Sequence, residues 1–183
     1  MSGATRARRA GISRLTAVVA LGIVGAVALA ILASRLVTPA SVVLEESGVQ
    51  VELSYVGDDR GEIVAVFRPL QDGFHLYGPD LPRDGIDGAG RPTLLELSAV
   101  SGWSPAGELR SEPATTLQSL PSFDRPFPVF PDGPATLRLP VELVDATQQN
   151  GELVVSVTYM ACSSSGLCLA PVIEREISVP IRS

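Results

Sequence analysis

The sequence contains few of the side chains that bind metals or perform nucleophilic catalysis. Its 183 residues include one histidine and two cysteines, and none of its 14 basic residues is a lysine. His75 is far in sequence from Cys162 and Cys168, and two thiolates with one distant histidine do not make a four-ligand zinc site. The sequence also lacks a Ser/His/Asp arrangement and a glycine-rich phosphate loop. We therefore expect no metal and no bound cofactor.

Positive charge is scarce after the first residues. Four arginines and no acidic residue precede Leu15, whereas from Arg35 onward ten arginines oppose all 20 acidic residues, which leaves a formal charge of −10. An acidic domain of this kind repels phosphate backbones, so we expect no nucleic-acid partner. The same charge favours a position away from anionic lipid headgroups rather than on them.

One long apolar segment follows the first arginines. From Leu15 to Ser34 no residue is charged, and twenty helical residues span about 30 Å, the thickness of a bilayer core. The excess of arginine before the segment predicts a cytoplasmic N-terminus. Residues 28–30 also offer a small-x-small cleavage site, so removal as a signal peptide stays open. The predicted order along the cell-membrane protein is a cytoplasmic basic tail (1–14), a transmembrane signal anchor (15–36), a tether (37–46) and an extracytoplasmic domain on the periplasmic side (47–183).

The extracytoplasmic part has the pattern of short β-strands. Segments rich in β-branched and aromatic residues are separated by turns that contain Gly, Pro and Asp, and none has an amphipathic helical period. Gly57–Gly61 and Gln148–Gly151 are predicted hairpin loops. Seven such segments predict an all-β antiparallel sandwich. The predicted strands are Val49–Val56, Glu62–Arg68, Phe74–Tyr77, Thr93–Ser98, Ala135–Leu143, Leu153–Tyr159 and Val172–Ile181.

Both cysteines lie where a β-hairpin is predicted to turn. Five residues separate Cys162 from Cys168, and three of them are serine and one is glycine. Such a turn lets the two sulfurs meet without straining the flanking strands. Closing so short a loop stabilises a fold by only about 2 kcal/mol. From the residues alone, the two cysteines could be either a redox-active pair or a structural disulfide.

Two sequence motifs carry a resemblance. The first is Tyr-x-x-Cys-x5-Cys followed by proline, and the second is Asp72–Tyr77 followed by Gly90–Thr93. Together they resemble the N-terminal periplasmic domain of the thiol:disulfide interchange protein DsbD, over roughly residues 47–183. The resemblance implies an immunoglobulin-like sandwich whose cysteines alternate between dithiol and disulfide, with Cys168 forming the mixed disulfide and Cys162 resolving it. The first motif consists of Tyr159, Cys162, Gly166, Cys168 and Pro171.

Residues 103–134 interrupt the strand pattern and are rich in proline. Their length and aromatic content predict a functional loop. In the resembled family a cap loop before the strand equivalent to Leu137–Pro140 lays an aromatic ring over the cysteines, and Phe127 is nearest that place. Phe123 and Phe130 are the alternatives, and each of the three could instead fill the end of the core.

Three further residues are candidates for lining the cysteine site. The resemblance implies this position for Tyr77 and Tyr159, which could instead be ordinary aromatic residues of the sheet. His75 would favour a thiolate if it were close to a cysteine. Its plainer interpretation is a packed or half-exposed histidine on a strand.

The resemblance also implies a function. It suggests a protein-disulfide reductase component that passes electrons to oxidised exported proteins, a role linked to cytochrome c biogenesis. Because the sequence ends after this domain, we expect a thioredoxin-like or membrane thiol reductase to act in trans. The alternative is a non-catalytic immunoglobulin-like binding or assembly module with a structural disulfide.

Overall fold

The computed structural model describes residues 40–98, 102–145 and 151–181, in which all regular structure is β-strand. The strands are β1 (Ser41–Glu46), β2 (Val49–Gly57), β3 (Arg60–Pro69), β4 (Phe74–Leu76), β5 (Leu94–Leu97), β6 (Trp103–Pro105), β7 (Arg110–Glu112), β8 (Thr116–Gln118), β9 (Phe127–Val129), β10 (Ala135–Leu143), β11 (Glu152–Tyr159), β12 (Ala161–Ser163) and β13 (Val172–Pro180).

Most strands belong to two antiparallel sheets. The larger sheet has the order β1-β2-β3-β10-β6, with β7 also paired to β10, and the smaller sheet has the order β13-β11-β5. Two short pairs, β4 with β12 and β8 with β9, lie outside these sheets. The arrangement is an immunoglobulin-like antiparallel β-sandwich, so the predicted fold class is confirmed for the described residues.

Side chains that alternate along the strands form the core between the sheets. In β2, Val49, Val51 and Leu53 are fully buried, whereas the residues between them are only partly buried. Burying each such side chain stabilises the fold by roughly 1.5–3 kcal/mol. Phe67 of the larger sheet and Tyr159 of the smaller sheet meet edge to face, with ring centroids 5.6 Å apart. These contacts join the two sheets.

The structure confirms all seven predicted strands but corrects two other predictions. The tether predicted for residues 37–46 is wrong for Ser41–Glu46, which pair with β2 as an edge strand because Val42 and Leu44 pack against the core. The functional loop predicted for residues 103–134 is not an uninterrupted loop, since β6, β7, β8 and β9 lie there. Each has only three residues, too few to show an alternating pattern.

Several predictions concern turns or residues outside the described ranges. The Gly57–Gly61 loop is confirmed as a hairpin, because Gly57 and Gly61 are paired at the end of β2 and β3. The tail (1–14), the signal anchor (15–36) and Gln148–Asn150 lie outside the described residues. Within residues 40–98, 102–145 and 151–181, no helix is long and apolar enough to cross a membrane.

Candidate functional site

The site is built on the short pair of strands β4 and β12. Cys162 lies directly opposite His75 in this antiparallel ladder. Neighbouring residues of the pair, Phe74, Leu76 and Ala161, belong to the main core. Because successive side chains of a strand point to opposite faces, His75 and Cys162 point away from the core. The fold thereby places a titratable ring and a sulfur on one face.

Cys162 and Cys168 form a disulfide across a tight turn. The Ser163 amide donates to the Leu167 carbonyl at 2.7 Å, and the Gly166 amide donates to the Ser163 carbonyl at 2.9 Å. Gly166 has φ of 88°, a conformation that glycine adopts without strain. Cys162 is 2% exposed, whereas Cys168 is exposed. The two ends of the disulfide therefore differ in their access to solvent.

A pocket of about 440 Å³ adjoins the disulfide. Its wall is mostly apolar and includes Leu120, Phe123, Phe127, Met160 and Pro171. Both cysteines, His75 and Tyr77 also line the pocket. A concave apolar surface with a few polar groups is typical of binding sites. The disulfide thus lies in the wall of a cavity rather than on a flat surface.

Four rings form a continuous series along this pocket. The ring centroids of His75 and Tyr77 are 5.9 Å apart, those of Tyr77 and Phe127 are 5.6 Å apart, and those of Phe127 and Phe123 are 5.0 Å apart. Phe127 is 1% exposed and packs in one cluster with Tyr77 and Cys162. Phe123 is only partly buried. Phe127 therefore forms the base of the pocket, and Phe123 lies in the loop between β8 and β9.

Two residues considered for the site lie elsewhere. Phe130 is buried in the main core, in agreement with the alternative that it fills the end of the core. Tyr159 also packs in the main core and does not line the pocket, because its side chain lies on the same face of β11 as those of Val155 and Val157. Its hydroxyl donates to the Glu46 carbonyl at 3.2 Å. Burial, and then the Glu46 carboxylate, raise the pKa of Tyr159 to about 12, against an opposing effect of Arg175.

The polar groups of the pocket are largely uncharged. Burial lowers the pKa of His75 below its ordinary value of 6.5, and the Asp132 carboxylate opposes this shift. Burial raises the pKa of Tyr77 above its ordinary value of 10.0. Arg91 is the exception, and its Nη1 donates to the carbonyls of residues 84, 88 and 90. Arg91 thus fastens the neighbouring loop while it lines the pocket.

Sequence reasoning missed two residues that shape this site. Arg91 and Thr93 both lie within the matched segment Gly90–Thr93 but received no role. Thr93 is fully buried, and its amide and hydroxyl both donate to the Tyr77 carbonyl, at 3.1 and 2.7 Å. The match of this segment to the resembled family was the available signal. Thr93 thereby anchors Tyr77, the residue that directly follows β4 and its His75.

Several solved structures match this chain at low sequence identity. No family model and no curated protein matches the sequence. The N-terminal periplasmic domain of ScsB from Proteus mirabilis matches with a TM-score of 0.50 and 13% identity, covering 79% of this chain and 52% of that one. The reduced form of the Neisseria meningitidis DsbD N-terminal domain matches with a TM-score of 0.47 and 19% identity, covering 82% and 94%. The GAE domain of GGA2p from Saccharomyces cerevisiae matches with a TM-score of 0.39 and 13% identity, covering 79% and 99%. At 13% identity the match to the ScsB domain is one of fold alone, and the chain spans about half of the ScsB structure.

Proposed function

We propose that this chain is an extracytoplasmic thiol-disulfide exchange protein whose reacting groups are Cys162 and Cys168. The observation that carries the proposal is the unequal exposure of the two cysteines beside an apolar pocket. Exchange requires that a thiolate reach one sulfur of a disulfide, while the other sulfur serves as the leaving group. A buried cysteine joined to an exposed one fits both requirements.

The same asymmetry supports a division of roles. An incoming thiolate attacks the sulfur of Cys168, because this residue is exposed. The bond between Cys168 and Cys162 breaks, and a mixed disulfide with the partner forms on Cys168. The reductant's second thiol then attacks its own sulfur in this mixed disulfide and leaves both cysteines of the chain reduced. When the Cys168 thiolate of the reduced chain next forms a mixed disulfide with an oxidised substrate, Cys162, enclosed by the pocket, attacks the Cys168 sulfur and releases the reduced substrate. These are the roles that the resemblance to DsbD implies for the two residues.

The proposed partners follow from the sequence. We propose that a thioredoxin-like protein or a membrane thiol reductase supplies electrons in trans, and that oxidised exported proteins receive them. The apolar residues 15–34 would anchor the chain in the membrane, with its acidic part outside the cytoplasm. A reducing domain in that location acts where exported cysteines tend to oxidise.

The reduction potential of the Cys162–Cys168 pair in the purified full chain tests the proposal. Equilibration with glutathione or dithiothreitol buffers should give a value of roughly −120 to −270 mV, the range of exchange proteins. A Cys162→Ser variant should then retain partners as mixed disulfides through Cys168. The matched Cys168→Ser variant should retain far fewer, since its remaining thiol is buried.

A different result would favour the alternative function. A potential below about −300 mV is typical of structural disulfides. If that value were found and neither variant trapped a partner, the disulfide would be a structural link in a binding or assembly module. The exchange proposal would then be wrong.

A further inference from the structure

The buried His75 has no part in the exchange steps described above, although it lies opposite Cys162. We propose that His75 transfers the proton of Cys162, and that Asp132 positions the imidazole for this transfer. The inference rests on the proposed exchange function and assigns an acid–base group to the buried cysteine. A buried thiol needs such a group because the thiolate, not the thiol, attacks the mixed disulfide.

The ladder between β4 and β12 brings His75 and Cys162 together. The two residues are register partners, and side chains directly opposite each other in an antiparallel pair have Cβ atoms about 4.5–5.5 Å apart. Both line the same pocket, so both leave the ladder on the same face. The imidazole is therefore within reach of the Cys162 sulfur.

The segment after β9 holds a carboxylate beside the imidazole. The Phe130 amide donates to the Leu76 carbonyl at 2.9 Å, which fixes this segment against β4. Two residues further along, Asp132 Oδ1 lies 4.0 Å from His75 Nδ1. A carboxylate near Nδ1 favours the tautomer that carries its proton on Nδ1, and this tautomer leaves Nε2 free to accept a proton.

The surroundings of His75 keep the ring in the form that a base requires. His75 is 6% exposed, and its burial favours the neutral imidazole. The other titratable groups near the ring are the two cysteines, Tyr77 at 5.9 Å between ring centroids, and Arg91 across the pocket. No Asp or Glu is among the described residues that line the pocket. Asp132 is therefore the carboxylate that acts on this ring.

The proton and electron transfers of the proposed step balance. In the reduced chain, the Cys168 thiolate attacks a partner disulfide, and the partner's second sulfur leaves as a thiolate and takes a proton from water. His75 Nε2 then removes the Cys162 proton, and the Cys162 thiolate attacks the Cys168 sulfur. The partner's remaining sulfur leaves with the bonding electron pair and receives the proton from the imidazolium. The chain has lost two electrons, and the partner's disulfide has become two thiols.

A disulfide reagent that releases a coloured thiolate at each attack allows this step to be observed separately from the first attack. The reduced full chain is mixed with an equimolar amount of dithiobis(nitrobenzoate), which releases one coloured thiolate when Cys168 attacks and a second when Cys162 resolves the mixed disulfide. The rate of the second phase is measured from about pH 5 to 9. The variants are His75→Phe, His75→Gln and Asp132→Asn. Phe74→Leu is the control, because Phe74 lies in the same strand but faces the main core.

We expect a fast second phase in the wild type, slowing only where His75 becomes protonated. Both His75 variants should slow it at least about tenfold at pH 7, because an ordinary thiol pKa of about 8.5 leaves only a few per cent as thiolate. Their rates should rise with pH and approach the wild-type rate near the ordinary thiol pKa. Asp132→Asn should move the acid limb of the profile to lower pH, because this change removes the charge that raises the His75 pKa.

The phases distinguish a failure of this inference from a failure of the exchange proposal. If the wild type showed no second phase, Cys162 would not resolve a mixed disulfide and the exchange proposal itself would fail. A normal wild-type reaction with the same pH profile in both His75 variants would overturn only the role of His75. An equal slowing by Phe74→Leu at every pH would reduce the effect to a loosened strand and would also overturn it.

Discussion

Replacing Phe123 with alanine should make the disulfide more reactive at a small cost in stability. The Phe123 ring lies in the loop between β8 and β9, is partly buried, and contacts Phe127 edge to face with centroids 5.0 Å apart. An aromatic contact of this kind is worth about 0.5–1.5 kcal/mol. If the ring must move before a thiolate can attack Cys168, removal of the ring removes this cost from the barrier. Attack should therefore accelerate roughly two- to tenfold.

The rate is measured by reducing the oxidised full chain with excess dithiothreitol and alkylating the thiols at successive times. Urea unfolding of the same samples gives the free energy of unfolding. Phe130→Leu is the control, because Phe130 is a phenylalanine of the same region that packs in the main core and does not line the pocket. The control should lower the free energy of unfolding without accelerating reduction of the native chain.

Two results would refute the reasoning on Phe123. Reduction of Phe123→Ala at the wild-type rate would mean that this ring does not restrict access to the disulfide. Equal acceleration by Phe130→Leu would mean that general loosening, rather than an opened pocket, exposes the sulfurs. In the second case the rate should follow the free energy of unfolding in both variants.

Two predictions concern stability and pH. The folded-state pKa of His75 is lowered, so the folded chain binds this proton less readily and should lose stability as pH falls through the ordinary value of about 6.5. Urea midpoints should therefore fall less on acidification in His75→Leu than in the wild type. An equal fall in both proteins would contradict this prediction. The pKa of Tyr159 is raised to about 12, so the stability that Tyr159 contributes should be complete below about pH 10 and lost as pH rises toward 12. Urea midpoints of Tyr159→Phe should fall less between those pH values, and a decline as steep as that of the wild type would count against the assignment.

The long strands could be predicted because each is stabilised by its own alternating pattern. In β10, the odd-numbered residues from Ala135 to Val141 are buried, and the residues between them are only partly buried. The short strands have no such independent signal. Both β6 and β7 exist as partners of β10, so their formation depends on a neighbour far away in sequence. Propensity within three residues does not contain that information.

The position of Tyr159 could have been predicted from the alternation of buried residues along β11. Leu153, Val155 and Val157 are fully buried, and Tyr159 is the next residue on the same face of β11. A strand that continues without a change of face must therefore direct Tyr159 into the core. The resemblance to DsbD pointed to the site instead. For this residue, the periodicity of the sequence was the better guide.

The alternation of side chains also predicts which residues of β4 face the core, but it does not predict which residue of another strand lies opposite His75. Phe74 and Leu76 face the core, and His75 therefore faces the other way. The pairing of His75 with Cys162 needs a register between strands more than 80 residues apart, which no local pattern specifies. A shift of one residue would place Cys162 opposite Phe74 or Leu76 and deprive it of its imidazole neighbour. Because the Leu76 carbonyl accepts the Phe130 amide, the segment that carries Asp132 also holds β4 in place, and the tertiary fold rather than the motif assembles the site.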